Sequence, residues 1–238
     1  ALPLRGDKTL DLYRVLVSEI MLQQTQVDRV IPFYKKFIKQ FPTAKKLAAA
    51  PLSEVLKSWQ GLGYNRRAKM LHQAAKEFSK IPNSAYRTNL VFDTVERLEE
   101  LPGVGPYTAR ALAAFAYNQD VIVIETNIRT AVIHHFFSNK KKVSDKEIEE
   151  ILGRLRQGSG EPREWYSALM DYGAHLKHSG ISHNAKSTTY TKQVKFSGSL
   201  REARGAILRE FTKGVTSRVK LVNLFGPLRK VQMKTALK

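Results

Sequence analysis

The sequence contains no cysteine, and only 21 acidic residues stand against 40 lysines and arginines. The first absence excludes disulfides, and with them any zinc ion or iron–sulfur cluster held by thiolates, in any redox compartment. The second leaves a formal charge of +19, a field that attracts a polyanion and opposes self-association. No apolar run reaches membrane-spanning length, and charges interrupt residues 1–20 where a signal peptide would need an apolar core. These readings predict an intracellular monomer, nucleoid-associated in the cytoplasm or nuclear, that works on nucleic acid and at no membrane. Ribosomal, anionic-membrane and heparin-binding proteins share the basic balance, so the motifs have to choose.

Strand signals are equally scarce. Only Val121-Ile122-Val123-Ile124 looks strand-like, and a four-residue run without a partner is better read as a buried connector in an all-α protein. What is present is helical periodicity. Leu12, Val15 and Leu16, then Val27, Val30, Ile31, Tyr34 and Phe37, predict two helices with a short break across 11–40. Further patterns follow at about 51–60, 65–79, 92–100, 106–117, 125–137, 144–156 and 163–177, separated by Pro, Gly, Asn or Ser. At 238 residues and 42% hydrophobic content the chain can bury a sizeable core. Residues 178–200 crowd Ser, Thr, Gly, His and Lys and read as a basic polar linker. Beyond it, 201–238 carries short amphipathic patterns at 201–213, 217–225 and 228–238, broken at Gly214 and at Gly226-Pro227. They suit a small helix-turn-helix-like lobe or a helical tail on the main domain.

The most informative local feature is Leu101-Pro102-Gly103-Val104-Gly105, followed by Pro106-Tyr107-Thr108-Ala109, a glycine turn between two helical patterns. Its glycines allow positive φ and close backbone approach, and the next helix begins with free N–H groups that can grip a phosphate without reading a base. An ordinary glycine turn would look the same in isolation.

Context decides. The stretch Leu101–Ala116 resembles the helix-hairpin-helix of the endonuclease III and adenine DNA glycosylase superfamily. Ser18-Glu19-Ile20-Met21-Leu22-Gln23-Gln24-Thr25-Gln26-Val27 resembles an adenine glycosylase motif, and Gly61-Leu62-Gly63-Tyr64-Asn65-Arg66-Arg67 its Gly-Leu-Gly-Tyr loop. Ile124-Glu125-Thr126-Asn127-Ile128-Arg129 lies where that family carries its catalytic carboxylate, and residues 3–177 follow the family's order. The resemblance implies an all-α, two-lobed helix-hairpin-helix glycosylase fold over 1–177, with DNA between two helical lobes, the linker 178–200 and a small helical C-terminal extension at 201–238. It implies a base-excision enzyme that removes a flipped-out base from duplex DNA, first of all adenine opposite 8-oxoguanine. Thymine or uracil mismatch activity, hypoxanthine activity, and a catalytically weak DNA-binding module remain open beside it.

Cleaving an N-glycosidic bond leaves electron density on the base and positive charge on the sugar, so it needs a proton donor and a nearby carboxylate. Glu19 sits among Val15, Leu16, Ile20 and Leu22, where burial would keep it protonated. By resemblance Glu19 protonates the purine, and Glu125 supports the oxocarbenium-like sugar. The family normally has Asp there, and the extra methylene moves the charge by about one bond length, which matters when a ~1 Å misplacement can cost 100-fold. Helix capping is the bland alternative for Glu125. Asn127 would order that carboxylate or the nearby sugar-phosphate. Tyr107 occupies the hairpin position where strand-nicking members carry a Schiff-base lysine, and Arg110 cannot stand in for that amine, so the resemblance implies a glycosylase without strong lyase activity.

Contacts to DNA are implied for Gln23, Gln24, Thr25, Leu62, Tyr64, Arg66 and Arg67, and for the hairpin's Gly103, Val104, Gly105 and Thr108. Gln24 would fill the space of the extruded base, with Thr25, Leu62 and Tyr64 around its partner. The resemblance also leaves room for a monovalent cation on the hairpin's backbone carbonyls, with no other metal and no cofactor. Family members usually carry a four-cysteine iron–sulfur loop after the helix matching 164–177. Here that stretch reads Gly173-Ala174-His175-Leu176-Lys177-His178-Ser179, and Lys177, Lys186, Lys192 and Lys195 are candidates to replace the loop's DNA contacts. His175, His178 and His183 lack an obvious fourth partner for a metal and read as solvated.

Overall fold

A computed structural model describes residues 11–80, 94–192, 195–214 and 217–237. Helices dominate: α1 (Leu12–Leu22), α2 (Val27–Gln40), α3 (Ala44–Ala49), α4 (Leu52–Trp59), α5 (Arg66–Ser79), α6 (Val95–Glu99), α7 (Pro106–Tyr117), α8 (Thr126–Phe136), α9 (Asp145–Arg156), α10 (Pro162–His178), α11 (Leu200–Thr212), α12 (Arg218–Val222) and α13 (Lys230–Ala236). Among the described residues no strand forms, and the one isolated bridge joins Val143 to Ser187. Residues 121–125 form the expected connector, with Val123 fully buried. The start of the 92–100 pattern lies outside the described residues. The short helix α3 was absent from the periodicity because six residues give too few turns to repeat; Thr43 nonetheless caps it, accepting from Lys46 N–H at 3.2 Å.

Two apolar cores share one helix. The first gathers α1, α2, α4 and α5 around Leu16, Phe37, Trp59, Leu71 and Phe78. The second gathers α8, α9 and α10 around Ile128, Ile133, Ile148, Leu152 and Tyr166. Helix α7 serves both, turning Ala109, Leu112 and Ala113 to the first and Ala111 and Ala114 to the second. Small residues on both faces let neighbouring backbones come close, so the hairpin that precedes α7 sits at the junction. Pro106 opens the helix where a missing N–H costs nothing, and Asn118 closes it in the left-handed conformation at φ 56°.

The segment after α10 is pinned rather than free over its first half. Thr188 N–H donates to Val143 O at 3.0 Å and Val143 N–H to Lys186 O at 2.9 Å, while Ser187 is buried. Helices α11 to α13 build a small core of their own from Ala203, Ile207, Leu221 and Met233, and Arg229 pairs with Glu202 at 2.7 Å. This unit touches the main body through Arg201, whose guanidinium bonds to the Tyr64 hydroxyl and lies 5.2 Å from that ring's centre.

Candidate active site

Glu19 comes from the face of α1 that packs on α7. It is 5% exposed, and the Tyr107 hydroxyl donates to its Oε2 at 3.2 Å. Burial pushes its pKa up from the usual carboxylate range to about 7; the phenol's hydrogen bond opposes this and the charge of Glu125 adds to it. A carboxyl with that environment carries a proton near neutrality and can give it up. Tyr107 keeps its own proton, because burial and the charges of Glu19 and Glu125 raise the phenol well above its ordinary value. The residue as a whole is 37% exposed, while its hydroxyl is turned onto Glu19.

Glu125 stands at the mouth of α8 in a different setting. It is the helix N-cap, with Oε1 accepting from Asn127 N–H at 2.6 Å and Ile128 N–H at 2.9 Å, and Oε2 accepting from the Thr126 hydroxyl at 3.1 Å. Capping is therefore part of its role. Burial raises its pKa, but those N–H groups, the hydroxyl and the Lys177 ammonium all favour the charged form. Asn127 is drawn in through its side-chain oxygen, which accepts from Lys177 Nζ at 2.6 Å. Arg129, next along α8, is held by Asp145 at 2.8 and 2.7 Å.

The two glutamates are near enough that the charge on Glu125 raises the pKa of Glu19. The arrangement supplies a carboxyl that holds a proton near neutrality and a second carboxyl ringed by donors, the pair that glycosidic cleavage asks for. Lys177 is an addition to the expected site. Tyr107 brings no amine and Arg110 is paired with Glu149 at 2.7 Å, yet the site does contain an amine, delivered from α10. Sequence reasoning placed Lys177 on the DNA surface, and missed it as a neighbour of Glu125.

The turn between α1 and α2 leaves Gln24 exposed, with φ 57°. Gln23 turns inward, and its Nε2 donates to Gly103 O at 3.2 Å and to the Thr108 hydroxyl at 3.4 Å, tying this turn to the hairpin. Thr108 and Val104 are buried, so both support the hairpin from within. Gly103, at φ 85°, presses on α5: a Cβ there would lie 2.7 Å from Met70 Cβ. Gly105 caps α7 at the surface, leaving the helix's first N–H groups open as a phosphate grip requires.

Two surface expectations are corrected. Arg67 is 8% exposed, and its guanidinium donates to the carbonyls of Ile20 at 3.0 Å, Met21 at 2.7 Å, Gln23 at 2.5 Å and Gly63 at 3.1 Å, and to Thr25 Oγ1 at 3.1 Å. It neutralises the carbonyl end of α1 and fixes the glutamine turn against the Gly61–Tyr64 loop. Burial lowers its pKa to about 10, which leaves it charged. Leu62 is 2% exposed and belongs to the first core. Tyr64, at φ 50°, lies between the Arg67 and Arg201 guanidinium groups, each 5.2 Å from its ring centre, and Arg66 is exposed.

No group of three or more metal-ligating side chains occurs among the described residues. His183 stacks on His134 with ring nitrogens 3.2 Å apart, and His178 bonds to Ala174 O of its own helix. The carbonyls of Leu101, Gly103 and Gly105 accept from Val104 N–H, Gln23 Nε2 and Ala109 N–H. Lys186 spends its ammonium on Ser138 O at 2.6 Å, while Lys192 and Lys195 are exposed. Among the described residues no helix is long and apolar enough to cross a membrane.

Comparison with known proteins agrees with this geometry. Residues 17–157 match the family described as HhH-GPD superfamily base excision DNA repair protein. The adenine DNA glycosylase of Mycobacterium tuberculosis (strain ATCC 25618 / H37Rv) is 39% identical over 165 residues, covering 68% of this chain and 52% of its own. That of Mycolicibacterium smegmatis is 41% identical, covering 68% and 54%, and that of Homo sapiens is 34% identical over 177 residues, covering 71% and 32%. The chain thus spans about half the length of the mycobacterial relatives. Among solved structures, a thermostable thymine-DNA glycosylase matches at TM-score 0.56 and 24% identity, over 73% of this chain and 78% of its own. A trapped endonuclease III–DNA covalent intermediate matches at TM-score 0.55 and 19% identity, over 70% and 74%. At these identities the structural likeness speaks for the fold.

Proposed function

Because the chain belongs to the HhH-GPD superfamily of base excision DNA repair proteins, we propose that it is a DNA N-glycosylase that removes adenine opposite 8-oxoguanine without strong lyase activity. The observation that carries this reading is Glu19: a buried carboxyl, hydrogen-bonded by Tyr107 and protonated near pH 7, on a helix that faces the hairpin. In the reaction the Glu19 proton passes to a ring nitrogen of the extruded base. The bond from that base to the sugar's C1′ breaks, and its electron pair leaves with the base. Glu125, ionised at the α8 N-cap, faces the cationic sugar until water adds to C1′ through its oxygen and gives up a proton to the Glu19 carboxylate, which restores the acid. Such fixed countercharge is worth several kcal/mol of barrier, since no solvent has to reorganise at the moment of reaction.

The chemistry is assigned to residues up to 177, with DNA phosphates at the hairpin and the α7 N-terminus, Gln24 in the space of the extruded base, and Arg66 on the backbone. Residues 201–238 add a basic helical extension, and the chain acts as a monomer. Adenine is preferred because Gln23-Gln24-Thr25 matches the adenine glycosylase motif and the curated relatives above carry that name. Glu125 in place of Asp favours the second reading, a pocket for thymine, uracil or hypoxanthine. The deciding experiment is single-turnover excision of A, T, U and hypoxanthine, each opposite G and 8-oxoguanine, with strand breaks scored before and after alkali. Alkali-dependent cleavage at A opposite 8-oxoguanine is expected. Release of a different base alone would replace the substrate, and no release from any duplex would leave a DNA-binding module.

A further inference from the structure

We propose that Lys177 is a positioning residue that orients both the Glu125 carboxylate and the Asn127 amide, an inference that rests on reading Glu125 as the countercharge to the sugar. The bonds around it form a directed chain. An ammonium can only donate, so when Lys177 Nζ bonds to Thr126 Oγ1 at 3.0 Å the hydroxyl accepts, and its own hydrogen goes to Glu125 Oε2 at 3.1 Å. The same ammonium donates to Asn127 at 2.6 Å, which makes the engaged atom the amide oxygen and leaves the NH2 as the free end. Lys177 thereby fixes one oxygen of the carboxylate and the polarity of the neighbouring amide at once. Asn127 offers two N–H donors to an incoming oxygen.

The helix that carries Lys177 is built to come this close. Gly173 precedes it by four residues and so lies on the same face of α10. It is pressed against α8: a Cβ at Gly173 would lie 2.1 Å from Asn127 O. A glycine inside a helix is less stable than alanine, and here it permits the approach that brings the next turn's lysine over the α8 N-terminus. The titratable groups that bear on Glu125 from other elements are Glu19 on α1 and Tyr107 on α7, while Arg129, on the helix that Glu125 caps, bears on Tyr107 and Lys177 and is bound to Asp145. Lys177 favours the ionised form of Glu125, which desolvation would otherwise disfavour.

The test compares wild type with Lys177→Met and Lys177→Arg in the full chain, using a duplex that wild type cleaves in the panel above. Single-turnover rates across pH 5 to 9 should show Lys177→Met slower by about 10- to 100-fold, as for loss of a group that orients a catalytic ligand. Its acid limb should move to higher pH, because Glu125 must stay ionised without its neighbour. Lys177→Arg should restore the limb, and duplex affinity should hardly change. A uniform slowing at every pH, an unchanged rate, or a loss of affinity with intact rate would each overturn the proposal, the last by making Lys177 a phosphate contact. Carboxyl-carbon NMR titration of Glu125 without DNA supplies a readout independent of activity. A higher Glu125 pKa in Lys177→Met supports the positioning even if wild type excises nothing, an outcome that would remove the countercharge reading alone, and an unchanged pKa overturns it.

Discussion

Glu19 and Glu125 are the same side chain in two opposite environments. Glu19 emerges from an apolar helix and meets one phenol, so burial dominates and the carboxyl keeps its proton to about pH 7. Glu125 sits on a helix N-terminus with two backbone N–H groups, a hydroxyl and a nearby ammonium, so donors oppose its desolvation, which still leaves the pKa raised. Placing the first residue mid-helix against a core and the second at a helix mouth gives one carboxyl a single donor and the other several. Local backbone geometry, more than residue type, assigns the two roles.

Removing the acid should have the largest effect. Glu19→Gln keeps the shape and the Tyr107 partner but has no proton to give, and single-turnover excision should fall by at least ~10³-fold, the scale of general acid catalysis, with duplex Kd nearly unchanged. Equal losses in binding and turnover would remove the distinction between the two glutamates. Glu125→Gln should cost about 10²- to 10³-fold in the same assay, as loss of one preorganised partner does. Glu125→Asp sharpens the comparison further. Aspartate is itself a good N-cap, so Tm should hold, while the shorter reach should make excision slower than wild type. A faster Asp variant would mean that Glu125 is a compromised group in a pocket shaped for aspartate.

A smaller effect is expected at Gly173. Gly173→Ala must push α10 away from the Asn127 carbonyl, costing about 1–3 kcal/mol of stability by thermal unfolding. Excision should fall in step with the displaced Asn127 and Lys177, and unaltered Tm would contradict the close approach of the two helices. The smallest effect is thermodynamic and has a fixed sign. Folded Glu19 titrates at about 7 against 4.5 for the ordinary group, so between these values the folded chain binds more protons than the unfolded one. This contribution is greatest below pH 4.5 and is lost as pH rises through 7. Glu19→Gln should therefore gain stability over wild type at pH 8, by no more than about 3 kcal/mol, and lose that advantage at pH 4.

Most helices and the motif positions were legible because both depend on local order. Periodicity fixed the bounds of α7 at 106–117, and the glycines of the hairpin and of the 61–64 loop marked the turns. The direction of individual side chains was less so. Arg66 and Arg67 are adjacent and chemically alike, yet α5's rotation sends Arg66 to solvent and Arg67 into the carbonyls that end α1. Leu62 turned inward for a similar reason, since the flanking Gly61 and Gly63, both at positive φ, fold the loop back on the first core. Lys177 did leave a trace in the sequence. Gly173 inside a long helix signals a close-contact face, and a residue four positions on shares it.

The account stands most directly on the protonation of Glu19. Single-turnover excision by wild type, measured from pH 5 to 9 on the duplex it cleaves best, should lose rate above pH 7 in proportion to the loss of one proton, a limb that Glu19→Gln abolishes along with activity. A rate that stays level or climbs through pH 9 would contradict the assignment of Glu19 as the acid.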